Sequence, residues 1–92
     1  MSITDLPEKE RLIQLSEECA ELCQAAIKVV RAINGQTPVS EEEARKNMEE
    51  EIADVVVCIG VLCSDVMVEA IKEQIRFKVK RWEDRINGNL YG

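Results

Sequence analysis

Two acidic clusters stand inside helical patterns, away from the first turns where a helix favours acids. They are Glu17-Glu18-Cys19-Ala20-Glu21 and Glu49-Glu50-Glu51-Ile52-Ala53-Asp54. At about 100° per residue, the apolar stripe of the first helix centres near Cys19 and Ala26, so Glu18 lies about 70° to one side and Glu21 about 130° to the same side. The stripe of the second helix centres near Met48 and Ile59, and Glu51 and Asp54 repeat these offsets with the same sign. A short connection makes the two helices antiparallel neighbours. The pseudo-two-fold axis of such a pair keeps equal offsets on one side of it. The heights agree as well, because Glu18/Glu21 centre roughly 17 residues before the loop midpoint and Glu51/Asp54 roughly 16 after it. Four carboxylates at one level repel and raise one another's pKa values. A divalent cation removes that repulsion, and an all-oxygen set without His or Cys suits Mg2+ (with Mn2+ possible) better than Zn2+ or copper. Glu17 points almost opposite the stripe and joins the group only if a partner chain covers it. The other acids, Glu8, Glu10, Glu41 to Glu43 and Glu49, read as solvated or capping.

A second feature is cationic. Residues 66 to 86 hold six bases and four acids, whereas the rest of the chain holds six bases and fourteen acids. Gln74, Lys78, Arg81 and Arg85 follow i, i+4, i+7, i+11 on one shoulder of an apolar stripe. Such a strip can hold phosphate oxygens through charge-assisted bonds, or it can neutralise an acidic bundle. Lys72, Arg76 and Lys80 point elsewhere and read as plain surface. Metal-binding carboxylates beside a cationic strip suit a phosphoanhydride, and no Gly-rich phosphate loop is present. The residues alone reach metal-dependent phosphate chemistry and do not choose the bond broken.

Three helices must position these groups in an all-α fold. Thr4 or Asp5 can cap the first, with Pro7 near its first turn, and Leu12, Leu15, Cys19, Leu22, Ala26 and Val29 recur at spacings of three and four. Asn34-Gly35 ends it. Ser40 before Glu41, Glu42 and Glu43 is an N-cap, and Met48, Ile52, Val55, Ile59 and Leu62 form the second stripe. Ser64-Asp65 breaks the chain and caps a third helix whose face carries Val68, Ile71, Ile75, Val79, Trp82 and Ile86, with Asn87-Gly88 as its stop. The tail 89–92 is expected to fray. The expected architecture is an antiparallel hairpin plus a third helix in one domain over residues 1–92. Its wide apolar stripes are covered by self-association into a four-helix-bundle-type oligomer.

Composition narrows the functions. The 92 residues carry a net charge of -6, so neither nucleic acid nor an anionic membrane is expected as partner. His is absent, which removes Ser-His and Cys-His catalysis, HExxH zinc sites and Glu-x-x-His di-iron bundles. Aromatics are 3% of the chain, too few for a base-stacking platform. The N-terminus lacks an apolar targeting segment, and the stretch from Val55 to Cys63 is too short to span a bilayer, so a cytoplasmic protein is expected. Cys19, Cys23, Cys58 and Cys63 read as small core residues of a reducing compartment.

The two acidic motifs together, Glu17-Glu18-x-x-Glu21 and then Glu51-x-x-Asp54, resemble the EExxE…ExxD signature of the MazG-like nucleotide pyrophosphohydrolases. That family belongs to the all-α NTP pyrophosphatase superfamily, with dimeric dUTPases as relatives. The likeness runs through EECAELCQAAIK and EEEIADVVVCIGVL and extends over roughly residues 10 to 86. It implies Mg2+-dependent hydrolysis of an NTP or dNTP to the monophosphate and pyrophosphate, in cleaning a nucleotide pool. It implies that Glu18, Glu21, Glu51 and Asp54 ligate metal, and that one of them, or Glu17, orients or deprotonates the attacking water. It further implies a dimer or tetramer whose bundles complete the site. Members carry in helix three a Lys, an Asn four residues later and a downstream Arg that contact phosphates and sugar. Here Gln74 and Lys78 occupy the first two positions and Arg81 fits the third. Members also set N-terminal aromatics against the base, and this N-terminus has none. Two other classes fit the residues: a catalytically weak nucleotide- or metal-binding regulatory subunit, and an acidic helical interaction module. The second leaves the matched register of the carboxylates unexplained.

Overall fold

A computed structural model describes residues 2–88, and the tail 89–92 lies outside the described residues. Three helices follow a short 3-10 turn at Ile3–Asp5: α1 (Glu8–Ile33), α2 (Glu41–Leu62) and α3 (Asp65–Ile86). The described residues contain no strand. The chain divides into two compact units at the Leu62–Cys63 junction.

Local chemistry sets each boundary. Leu6 precedes a proline and is extended (ψ 143°), as the proline ring requires of its neighbour. A helix capped at Thr4 or Asp5 therefore cannot run through Leu6. Pro7 takes the N-cap position instead, and the Asp5 carboxylate turns back to accept from the Ser2 backbone N–H at 2.8 Å. At the far end of α1, Gly35 adopts φ +66°, a left-handed conformation that favours glycine, and Gln36 N–H donates back to the Arg31 carbonyl. Ser40 caps α2 by accepting from Glu43 N–H at 3.1 Å, and Ser64 caps α3 by accepting from Met67 N–H at 3.3 Å. Gly88 (φ +72°) follows the end of α3.

In the first unit α1 and α2 pack as an antiparallel hairpin. Arg11 Nη1 donates to the Val61 carbonyl, while Glu18 meets Asp54, so seven positions up α1 (11 to 18) match seven down α2 (61 to 54). Ala25 and Val29 of α1 and Ala44, Val55 and Cys58 of α2 are the buried residues, and these small side chains make a thin core. The packed stripe runs through Leu15, Glu18, Leu22, Ala25 and Val29 on α1 and through Ala44, Glu51, Val55, Cys58 and Leu62 on α2, all buried or half-buried.

This stripe is rotated from the one expected on each helix. Leu12 and Cys19 on α1 and Ile52 and Ile59 on α2 belong to the expected stripes, yet they remain exposed. The rotation has the same sense on both helices and turns Glu18 and Glu51 inward. Small residues at the contact favour it, because Ala25 and Ala44 allow close packing that a Leu12/Ile52 seam would hold apart. Of the cysteines only Cys58 is buried; Cys63 is half-buried, and Cys19 and Cys23 are exposed. Reading all four as core residues therefore holds for Cys58 and fails for Cys19 and Cys23.

In the second unit α3 has no buried residue. Its apolar stripe includes Trp82 at 67% and Ile86 at 81% exposure, and Ile75, Val79, Trp82 and Ile86 line one shallow apolar depression with Lys78 and Glu83. Among the described residues no helix is long and apolar enough to cross a membrane.

Candidate functional site

The helix rotation produces the site. Glu18, one turn from Leu15 and Leu22, and Glu51, one turn from Val55, lie in the α1–α2 seam, where a heptad-like pattern would otherwise place apolar side chains. Asp54 flanks them from the exposed edge of α2. One carboxylate oxygen from each of Glu18, Glu51 and Asp54 lies within 4.8 Å of the other two. The ion pairs seen among the described residues lie within α2 or within α3, and none involves these three acids.

Two of the oxygens are stranded. Glu18 Oε2 and Glu51 Oε2 are buried and have no hydrogen-bond partner. A buried, unpartnered carboxylate oxygen is costly, and two of them in one helix seam cost more. The electrostatics agree with the geometry. Burial pushes the Glu18 carboxyl above its ordinary value, the hydrogen bond from Gln14 opposes that, and the nearby Glu21 and Asp54 charges push it further up. Burial also pushes the Cys58 thiol up, with Glu18, Asp54 and Cys19 adding in the same direction. A hard divalent cation is the kind of ligand such a set could hold: it would supply a counter-charge and coordination to carboxylate oxygens that have neither among the described residues, and Asp54 is exposed on one side.

Beside the carboxylates lies a mostly apolar pocket of about 300 Å³. Val57, Cys58 and Val61 form its α2 wall, Ile3 and Leu6 of the N-terminal turn form its rim, and Arg11, Gln14, Glu18 and Asp54 complete it. Arg11 holds the rim in place, since its Nε donates to the Leu6 carbonyl at 3.0 Å and its Nη1 to the Val61 carbonyl at 2.6 Å.

The structure thus brings together three of the four expected ligands. Glu21 is exposed and stands outside the three-oxygen group, although its charge acts on Glu18. Glu17 is exposed on α1 and outside the group as well. Gln74, Lys78, Arg81 and Arg85 are exposed on α3, in the other compact unit. Within α3, Lys72, Arg76 and Lys80 pair with Glu69, Glu73 and Asp84, while Lys78, Arg81 and Arg85 make no ion pair among the described residues. Arg11 and Gln14 join the site in addition to the expected residues. The signal for Gln14 was its i, i+4 spacing to Glu18; nothing local marks Arg11, whose partner carbonyl lies 50 residues away. No protein-family model, curated protein or solved structure matches the chain.

Proposed function

We propose that this protein is a Mg2+-dependent nucleoside triphosphate pyrophosphohydrolase of the MazG-like kind, which hydrolyses an NTP or dNTP to the monophosphate and pyrophosphate. The observation that carries the reading is the gathering of Glu18, Glu51 and Asp54 within 4.8 Å, with two buried oxygens lacking any partner. Glu18, Glu51 and Asp54 would hold the ion, with Glu21 reaching it as fourth ligand. Mg2+ in such a set neutralises phosphate oxygens and lowers the pKa of bound water; Mn2+ can replace it. Glu17, exposed on α1, or one of the ligating carboxylates where it leaves the ion, would orient or deprotonate the attacking water. Lys78, Arg81 and Arg85, with Gln74, would bind the phosphates and stabilise charge on the departing pyrophosphate. The exposed apolar stripe of α3 and the strip of Leu12, Cys19, Ile52 and Ile59 support self-association, as dimer or tetramer, into a helical bundle.

A panel of canonical and modified NTPs and dNTPs with Mg2+, following pyrophosphate against orthophosphate, tests the reaction. Pyrophosphate release that EDTA stops supports it and names the substrate. Orthophosphate alone would overturn the bond assignment. A second reading, a nucleotide- or metal-binding regulatory subunit, is favoured by Gln74 and Lys78 replacing the family's Lys and Asn; nucleotide binding without any release would select it.

A further inference from the structure

Of the three carboxylates that could hold an ion, one is anchored by a neighbouring side chain. Glu18 Oε1 accepts a hydrogen bond from Gln14 Nε2 at 2.8 Å, while its other oxygen, Oε2, is buried without a partner. Neither Glu51 nor Asp54 makes a side-chain hydrogen bond to a described residue, and Glu51 Oε2 is stranded in the same way as Glu18 Oε2. Gln14 stands one helical turn before Glu18 on the same face of α1 and lines the same pocket. A carboxylate fixed through one oxygen loses its freedom to swing and presents the other oxygen in a single orientation. Groups that hold a ligand in this way account for one to two orders of magnitude of metal affinity in known sites.

We propose that Gln14 is a positioning residue of the metal centre: its amide anchors Glu18 Oε1 and so commits Oε2 to the divalent cation. The inference rests on the metal-binding reading of the carboxylate cluster and adds to it the residue that sets its geometry. Gln14 touches neither metal nor substrate in this role. It acts through Glu18.

The test is a Mn2+ titration of the full chain followed by electron paramagnetic resonance, with no nucleotide present, on the wild type, Gln14→Met and Glu51→Gln. Methionine keeps the length and helix propensity of glutamine and removes the donor. The melting midpoint of each metal-free protein is measured alongside. The expected result is about tenfold weaker Mn2+ binding in Gln14→Met, with an unchanged metal-free melting midpoint, and loss of binding in Glu51→Gln. Wild-type affinity in Gln14→Met, with binding lost in Glu51→Gln, would overturn the role of Gln14 and leave the metal centre standing. A fall in the metal-free midpoint that parallels the affinity loss would make Gln14 merely structural. Absence of Mn2+ binding by the wild type would overturn both readings together.

Discussion

The helices of the α1–α2 hairpin and helix α3 are each 22 to 26 residues long and amphipathic, yet the two units use polar groups in opposite ways. The hairpin puts carboxylates into its packed seam and leaves two of their oxygens without partners. In α3, charged groups satisfy one another locally, through Lys72–Glu69, Arg76–Glu73 and Lys80–Asp84 at i, i+3 or i, i+4. Its one long cationic strip lies outside those pairs. Surface pairs of that kind contribute little to stability and need no further explanation. Half-buried acids with a stranded oxygen each do need one, since a fold under selection for stability alone would put leucine at Glu18 and Glu51. The comparison separates groups that merely keep a helix solvated from groups held at a cost, for which the proposed ion gives a reason.

The largest effect that can break this contrast is at Glu51. Glu51→Gln should lower turnover by about a hundredfold or more, in line with removing one electrostatic contact to the reacting groups. The same substitution should leave the metal-free protein as stable as before or more so, because it removes one of three crowded like charges. Urea titration and initial rates on one preparation decide the matter. Full activity, or loss of activity together with unfolding, would sink the assignment of Glu51 as a ligand.

Next in size is Arg11, whose half-buried guanidinium bonds the Leu6 and Val61 carbonyls. Arg11→Met should cost about 2 kcal/mol of hairpin stability, since it strips charged donors from two carbonyls, one of them in the last turn of α2. A urea midpoint within error of the wild type would show that solvent replaces both bonds. No α3 residue should reach this cost by losing its ion pair; Arg76→Gln is expected to change stability by less than about 0.5 kcal/mol.

A smaller, functional contrast sharpens the reading of α3. Arg81→Gln should raise the apparent KM for nucleotide about tenfold, the scale of one charge-assisted phosphate contact. Arg76→Gln should leave KM unchanged, because Arg76 is engaged with Glu73. Equal effects from both would mean that α3 contributes general positive charge and that the strip has no special place.

What could be read from the sequence follows the same division. Caps and breaks that depend on adjacent residues, such as Ser40, Ser64 and Asn34-Gly35, were readable, and so was the antiparallel register that brings Glu18 level with Asp54. The N-terminal cap differs from the expected one because Pro7 acts on Leu6, a constraint that overrides the capping preference of Asp5. The packed face lies part of a turn away from the most apolar stripe on both helices. Summed hydrophobicity points at Leu12, Cys19, Ile52 and Ile59, whereas contact is set by which residues are small enough to approach, and that is a property of the pair. The same shift made Glu18 and Glu51 seam residues where flanking ones were expected. Arg11 could not be read at all, since its partner is a backbone carbonyl far along the chain.

The smallest expected effect is the pH dependence of the hairpin itself, and it opposes the usual trend for a paired acid. Burial and the neighbouring Glu21 and Asp54 charges raise the Glu18 carboxyl above its ordinary 4.5. Between the unfolded and folded values the folded state holds more protons, so without metal the contribution of Glu18 to stability falls as pH rises through that interval. Glu18→Gln, which does not titrate, should therefore gain on the wild type as pH climbs from just below 4.5 through the raised folded value. Mg2+ should reverse the comparison. The cation requires the ionised carboxylate, so the wild-type melting midpoint should rise on adding Mg2+ by an amount that grows over the same pH interval, while Glu18→Gln should show little shift at any pH. Parallel pH profiles for the two proteins without metal would mean that the seam does not perturb Glu18, and the distinction between seam and surface would lose its electrostatic half.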